Sequence, residues 1–447
     1  MNSQNDKDDD SPTVDAGRRK LLETIGAGAI VSAIPTAFAA KSPGVNKQTD
    51  RPLRWGIVGT GSIANYMVSM MKLAARAELT AVASRKIETA KEFASKHGIP
   101  GAFASWSEML SSKTVDAVYV ATPTGVREEV CLLAAANGKH VLGEKPFANL
   151  PSLRRITSAC RKNGVGFMDG THFVHHPRTS QIKATMREKV GWPCSIDSAF
   201  QFALMDPENI RWDSNLEPYG AIGDAGWYNM RAAVEYTPPG VRIVGLDAYV
   251  RRDKKNKAVA NGSGVIAFSD GSTNTWNCGF EAGALSMDLR MSGAAGQFSL
   301  NDFVQVQGNE PAGYEYRTDI GDGGKSERIR VAAAKPPAAL MFENFAAMVG
   351  NAGLFEASVA ASEKTQEWMD AIWTKAMQNE IATLRANSLI GQKVEVKVEK
   401  SDNVSGEVTG VDSANGEPRI IIDGVAYPVT NVVRVERATS NPPATAP

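Results

Sequence analysis

The pattern of apolar and polar positions changes period along the chain, and the changes divide it. From Leu53 to Val58 the run is apolar with β-branched residues, which predicts a buried strand. It breaks at Gly59-Thr60-Gly61, and a helical period starts at Ser62. Further strands are predicted at Leu79–Ser84, Val115–Ala121 and His140–Gly143. Helical patterns lie between and after them at Ile87–His97, Ser107–Leu110, Val126–Asn137 (closed by Gly138) and Pro151–Lys162 (stopped by Gly164). Strands that are apolar throughout and separated by helices imply a parallel sheet covered on both faces.

After Asp169 the rhythm alters. A helix at Ser180–Glu188 precedes alternating strands at Ser195–Leu204, Val241–Arg251, Gly264–Phe268, Thr273–Glu281, Ser286–Ser292 and Gln297–Gln305. With few crossover helices, they predict an α+β domain with a large, mostly antiparallel open sheet. Two helices return at Pro337–Val349 and Ala357–Asn379. From Ser388 onward come short strands at Val394–Val398, Gly406–Val411, Arg419–Ile422 and Val432–Val435. Asn415-Gly416 and Asp423-Gly424 are hairpin-turn pairs that tolerate positive φ, so residues 388–437 read as a small β-barrel-like module. The expected layout is a targeting segment (1–39), a linker or arm (40–52), an α/β domain (53–170), an α+β domain (171–380), the β module (388–437) and a disordered tail (438–447).

Composition narrows the classes. The 447 residues are 43% hydrophobic and 22% charged, a globular balance with enough chain for two or three domains. Lysine plus arginine equals aspartate plus glutamate at 49 each, so no global charge draws in nucleic acid. Cys131, Cys160, Cys194 and Cys278 are scattered without metal-ligand spacing and read as plain thiols. Near the start, Arg18-Arg19 precedes a Gly/Ala-rich run that ends in Ala37-Phe38-Ala39. That order resembles a twin-arginine (Tat) signal, so the expectation is an exported, periplasmic protein whose precursor meets the Tat machinery.

The strand–glycine–helix stretch is the strongest chemical signal. Gly59 permits the sharp turn, Gly61 lets backbone approach a pyrophosphate, and Ala64 lets helix and strand pack closely. Free N–H groups of Ser62, Ile63 and Ala64, with Thr60 beside them, form a phosphate cradle at the helix start. At the end of the second strand an NAD site wants an acidic residue for the ribose 2′-hydroxyl. Ser84-Arg85-Lys86 stand there instead, and a hydroxyl, a guanidinium and an amine suit a 2′-phosphate, so NADP is favoured over NAD. Glu144-Lys145-Pro146 ends a parallel strand, where α/β sheets bind ligands; Lys145 there either stabilises developing negative charge or forms a salt bridge with Glu144. In Gly223-Asp224-Ala225-Gly226-Trp227-Tyr228, Asp224 and Tyr228 are four apart on one predicted helix face. They suit shared acid–base work, or else a helix cap and a core tyrosine.

Taken together, Gly59–Ala64, Ala121-Thr122-Pro123-Thr124, Glu144–Pro146 and Gly223–Tyr228 make residues 53–379 resemble the Gfo/Idh/MocA oxidoreductases, most nearly their glucose–fructose oxidoreductase type. The resemblance implies an NADP(H)-dependent oxidoreductase for a sugar or polyol, with Thr122, Pro123, Thr124, Glu144, Lys145 and Pro146 along the cofactor. It places Lys145, Asp224 and Tyr228 at the nicotinamide. Tyr228 exchanges the proton, Lys145 lowers its pKa and Asp224 positions substrate. Asp169–Arg178 occupies the family's substrate-lining position, with His175 or His176 near substrate and no metal. A homo-oligomer also follows by resemblance, and export of a folded protein through the Tat route implies a cofactor loaded first and tightly held. The rival readings are an exchangeable-cofactor dihydrodiol or inositol-type dehydrogenase and a non-catalytic binding protein. Residues 388–437 resemble the small β-domain of flagellar hook-capping scaffold proteins.

Overall fold

The computed structural model describes residues 51–306, 312–318, 325–349, 351–399, 401–413 and 418–436. The expected export signal, most of the expected arm, the Asn415-Gly416 turn and the expected 438–447 tail lie outside the described residues.

The first sheet has six parallel strands: β1 (Leu53–Val58), β2 (Ala77–Ala83), β3 (Gly101–Phe103), β4 (Ala117–Val120), β5 (His140–Gly143) and β6 (Phe167–Asp169). Their order is β3-β2-β1-β4-β5-β6, so the strand order reverses between β1 and β4. Helices α1 (Ser62–Leu73), α2 (Ile87–His97), α3 (Trp106–Ser111), α4 (Thr124–Ala136) and α5 (Leu150–Lys162) cover it. Val58, Val118 and Val120 face one core, while Trp55, Ile57 and Tyr119 face another, so both faces are buried as the unbroken apolar strands require. The second of these cores is completed by residues from late in the chain. Phe342 and Phe345 of α8 (Pro337–Met348) pack on Trp55 with ring centroids 5.3 and 5.0 Å away. The first domain is therefore not closed by residues 53–170 alone.

Beyond β6 come a 3-10 turn (His172–His175), α6 (Pro177–Lys189) and β7 (Pro193–Ala203). The second sheet adds β8 (Ile243–Arg252), β9 (Val259–Phe268), β10 (Thr273–Gly279), β11 (Glu281–Gly293), β12 (Gly296–Leu300), β13 (Gly313–Arg317) and β14 (Ser326–Arg330). Its order is β14-β13-β12-β11-β7-β10-β9-β8, antiparallel throughout except for the β7–β10 pair. A helical stretch from Gly220 contains a π turn (Ile222–Gly226) and continues as α7 (Trp227–Tyr236). The long α9 (Ala352–Ser388) runs unbroken into the last module, so no loop separates residues 380 and 388. That module is a five-stranded sheet, β15 (Lys393–Val396), β16 (Val404–Asp412), β17 (Arg419–Ile422), β18 (Val425–Pro428) and β19 (Val432–Glu436), around its own core. Asp423 (φ 49°) and Gly424 (φ 78°) make its two-residue hairpin, as their residue types predict.

A buried ion network ties the first sheet to the helices on it. Arg231 of α7 donates to Asp169 of β6 at 2.7 Å and to Glu235 at 2.8 Å, with Arg231 and Asp169 side chains 4% and 1% exposed. Ser362 of α9 and the Thr171 N–H complete the Asp169 carboxylate. All five histidines are held below their ordinary pKa, chiefly by burial, and His172, His175 and His176 are each pushed down to about 4.

Two outcomes follow. Arg231→Met leaves Asp169 buried and unpaired, which costs about 3–5 kcal/mol, read as the shift of the denaturant midpoint. Burial makes each ring a weaker base in the folded chain than in the unfolded one. Between pH 6.5 and 4 the unfolded chain therefore binds more protons, and stability falls as pH falls, by up to about 1.4 kcal/mol per pH unit per histidine. A melting temperature that is flat from pH 7 to 5 contradicts the burial of these rings.

Candidate functional site

The glycine turn sits where the strand order reverses, and its geometry fits a bound pyrophosphate. Gly59 has φ +102°, and a Cβ there would lie 2.8 Å from the Ala121 carbonyl oxygen, so only glycine lets β1 turn beside the end of β4. A Cβ on Gly61 would meet nothing within 4 Å, which leaves its side of the turn open. The start of α1 has no side-chain cap, so its first N–H groups are available to an anion. Ala64 is fully buried against the sheet. Beyond β2, Arg85 and Lys86 are exposed and pair with no carboxylate among the described residues; Ser84 is half-buried beside them. Sheet order places these cations on one side of the glycine turn and the β4 and β5 ends on the other.

The Thr122-Pro123-Thr124 turn ends β4. Thr122 Oγ1 is buried without a hydrogen-bond partner, an atom that a ligand along this edge could satisfy. The turn is held from below by Arg127, a buried side chain that the sequence reading passed over. Its guanidinium donates to the carbonyls of Thr122 and Pro146 and, at 3.2 Å, to Thr124 Oγ1, joining the ends of β4 and β5.

Lys145 follows β5, and the Lys145–Pro146 peptide is cis. Its Nζ does not pair with Glu144. It lies 2.6 Å from Asp224 Oδ1 and donates to the Asp224 carbonyl at 2.8 Å. Glu144 turns inward instead, where Tyr119 donates to it at 2.5 Å, and burial pushes its carboxyl up despite Lys145 nearby. The π turn carrying Asp224 approaches closely because Gly223 lacks a side chain: a Cβ there would meet Tyr219 Cβ at 2.7 Å and Pro146 Cγ at 3.1 Å. Asp224 and Tyr228 thus reach one place through a π turn followed by α7, not one regular helix.

Asp224 has a second partner. Arg211 donates from Nε to Oδ2 at 2.7 Å and from Nη2 to Oδ1 at 3.2 Å. Burial opposes the charge, but Arg211 and Lys145 together hold the carboxyl well below its usual range. Lys145 Nζ also stands 4.9 Å above the Tyr228 ring. The expected depression of Tyr228 by Lys145 is not found. Burial dominates, Glu144 and Asp224 add to it, and the phenol sits well above 10. Its hydroxyl points to His172 Nε2 at 3.3 Å.

The two histidines expected near substrate have partners other than Tyr228. His175 bonds Asn344 of α8 at 3.0 Å and lines a separate cavity with Lys183, Arg231 and Ser358. His176 is buried and caps α6 by accepting from the Arg178 N–H at 3.0 Å. The 3-10 turn alone decides which ring faces Tyr228, and it selects His172.

Residues 53–171 match the model of the oxidoreductase family with an NAD-binding Rossmann fold. A D-xylose 1-dehydrogenase (NADP(+)) of Haloferax volcanii is 28% identical over 60% of this chain and 81% of its own length. A 3-ketoreductase from Actinomadura kijaniata, solved with NADP and TDP-benzene, superposes with a TM-score of 0.66 at 24% identity, over 73% of this chain and 98% of that one. An aldose-aldose oxidoreductase from Caulobacter crescentus, solved with glycerol, does so with a TM-score of 0.64 at 21% identity and the same two coverages. Motifs, sheet order and likeness agree: residues 53–171 form an NAD-binding Rossmann domain of the Gfo/Idh/MocA oxidoreductase family, and the longer chain shares its fold with these solved oxidoreductases.

Proposed function

We propose that the protein is an NADP(H)-dependent oxidoreductase that moves hydride between the nicotinamide and a carbinol carbon of a sugar or polyol. One observation carries the reading: the Lys145 ammonium, the Tyr228 phenol and the His172 ring converge at the carboxyl edge of the first sheet, beside the Thr122–Thr124 turn. Relatives named as sugar, inositol and dihydrodiol dehydrogenases support the substrate class. Gly59, Thr60, Gly61, Ser62, Ile63 and Ala64 take the pyrophosphate. Arg85 and Lys86, exposed and without an ion-pair partner among the described residues, take the 2′-phosphate, with Ser84 beside them.

The bound nicotinamide supplies the hydride acceptor or donor. The protein supplies the rest. Lys145 donates a hydrogen bond to the reacting oxygen and stabilises its negative charge as the C–H bond breaks. The hydroxyl proton passes to Tyr228 Oη while the phenol's own proton passes to neutral His172 Nε2; the reverse path serves reduction. A phenol with a raised pKa does not act as a standing phenolate, so the relay needs His172 as its acceptor. Asp224 keeps Lys145 aimed at this point. Export through a Tat-type signal and retention of the cofactor rest on the Arg18-Arg19 segment, and persistence of NADPH fluorescence through dialysis of the reduced protein tests retention.

Lys145→Ala is expected to lower turnover by about 10²-fold or more with NADP affinity unchanged, read by nicotinamide fluorescence on a sugar and polyol panel. Unchanged turnover removes Lys145 from the chemistry. Arg85→Ala is expected to weaken NADP by about tenfold or more and leave NAD within about twofold, since only NADP carries the phosphate. Equal loss of both places the 2′-phosphate elsewhere.

A further inference from the structure

Residues 204–219 connect β7 to the helical stretch that carries Asp224, and the segment is fastened to three separate parts of the molecule. Its own sheet holds one end, where the Leu204 N–H donates to the Phe280 carbonyl at 2.9 Å and Trp212 stacks edge-on against Phe280 at 5.5 Å. Arg211 forks onto Asp224. Glu217 then reaches across to the first domain. Its carboxylate accepts from the Thr124 N–H at 3.1 Å and the Thr124 hydroxyl at 2.7 Å. Next to it the Gly125 N–H donates to the Leu216 carbonyl at 3.4 Å, and the Tyr219 hydroxyl donates to the Ala148 carbonyl at 2.7 Å.

The two charged anchors hold different things. Arg211 binds the carboxylate that aims Lys145. Glu217 binds the start of α4, so an anionic side chain already occupies the helix N-terminus nearest the β4 end. That directs a pyrophosphate to the uncapped start of α1 instead. By sheet order, the adenosine half of a dinucleotide then lies toward β2 and the nicotinamide half toward β4 and β5, over the turn that Glu217 fixes.

We propose that Glu217 and Arg211 form a two-point clamp, with Glu217 fixing the turn that receives the nicotinamide half and Arg211 fixing Asp224, so that one segment sets the position of the nicotinamide relative to Lys145. Both are positioning residues, acting through Thr124 and Asp224. The clamp rests on the cofactor reading proposed above. Because its two ends serve different functions, their loss has different signatures.

The test titrates the full chain, wild type and variants, with NADP and with 2′,5′-ADP, which carries the adenosine half and lacks the nicotinamide. Glu217→Gln is expected to lose about tenfold in NADP affinity and stay within about twofold for 2′,5′-ADP. Arg211→Ala is expected to bind both nucleotides within about twofold of wild type, to lose about 10²-fold in kcat with KM little changed, and to regain part of it with added guanidinium. Equal loss of both nucleotides in Glu217→Gln, or full NADP affinity in that variant, overturns the clamp and leaves the proposed activity standing. A wild type that binds neither nucleotide overturns both. A wild type that binds NADP but shows no substrate-driven redox change rejects the proposed activity, and the Glu217 comparison then decides the clamp.

Discussion

The ion pair between Lys145 and Asp224 is the constraint around which the crevice is arranged. One partner follows a strand of the first sheet and the other sits in a π turn of the next domain. Both side chains are largely withdrawn from water, 6% and 18% exposed, so the pair cannot be lost without leaving a charge poorly solvated. Arg211 makes the arrangement a triad with excess positive charge, which keeps Asp224 ionised and leaves Lys145 free to direct hydrogen bonds outward.

Several ordinary packing facts serve that pair. Gly223 lets the π turn rest on Pro146, and Arg127 fastens the Pro146 carbonyl to the Thr122 turn. Gly59 lets β1 turn against Ala121 at the same edge. The glycine turn, the β4 turn and the lysine therefore share one rigid rim. Behind the rim, the Asp169–Arg231–Glu235 network anchors α7, the helix that carries Tyr228. The site is thus built on strand ends and helix starts, with Arg211 and Glu217 reaching it from the 204–219 segment.

Much of this was readable in advance, for physical reasons. Strands buried on both faces leave continuous apolar runs, and helices ending at Gly98, Gly138 and Gly164 leave glycines with φ near +67°, so the longer elements of the first domain follow from pattern. The strands that escaped notice, β3, β6, β13, β14 and β18, are three to five residues long, too short to show a period. The apolar face of α8 marks it as a packed helix but not which sheet it packs on, and it belongs to the first. Lys145, Asp224 and Tyr228 could be placed together only through family likeness, since nearly eighty residues separate the first two. His172, His175 and His176 differ by direction within one tight turn, which no spacing rule resolves. Arg211, Glu217 and Arg127 carry no motif; their roles come from contacts across the fold.

The most direct measurement is a crystal structure of the full chain with NADP and a bound sugar or polyol. The account predicts a nicotinamide ring over the Thr122–Thr124 turn, with a substrate hydroxyl in hydrogen-bond reach of both Lys145 Nζ and Tyr228 Oη and its carbon about 3–3.5 Å from the ring. A nicotinamide directed away from Lys145, or a substrate oxygen held by other groups with Tyr228 and His172 out of contact, contradicts it.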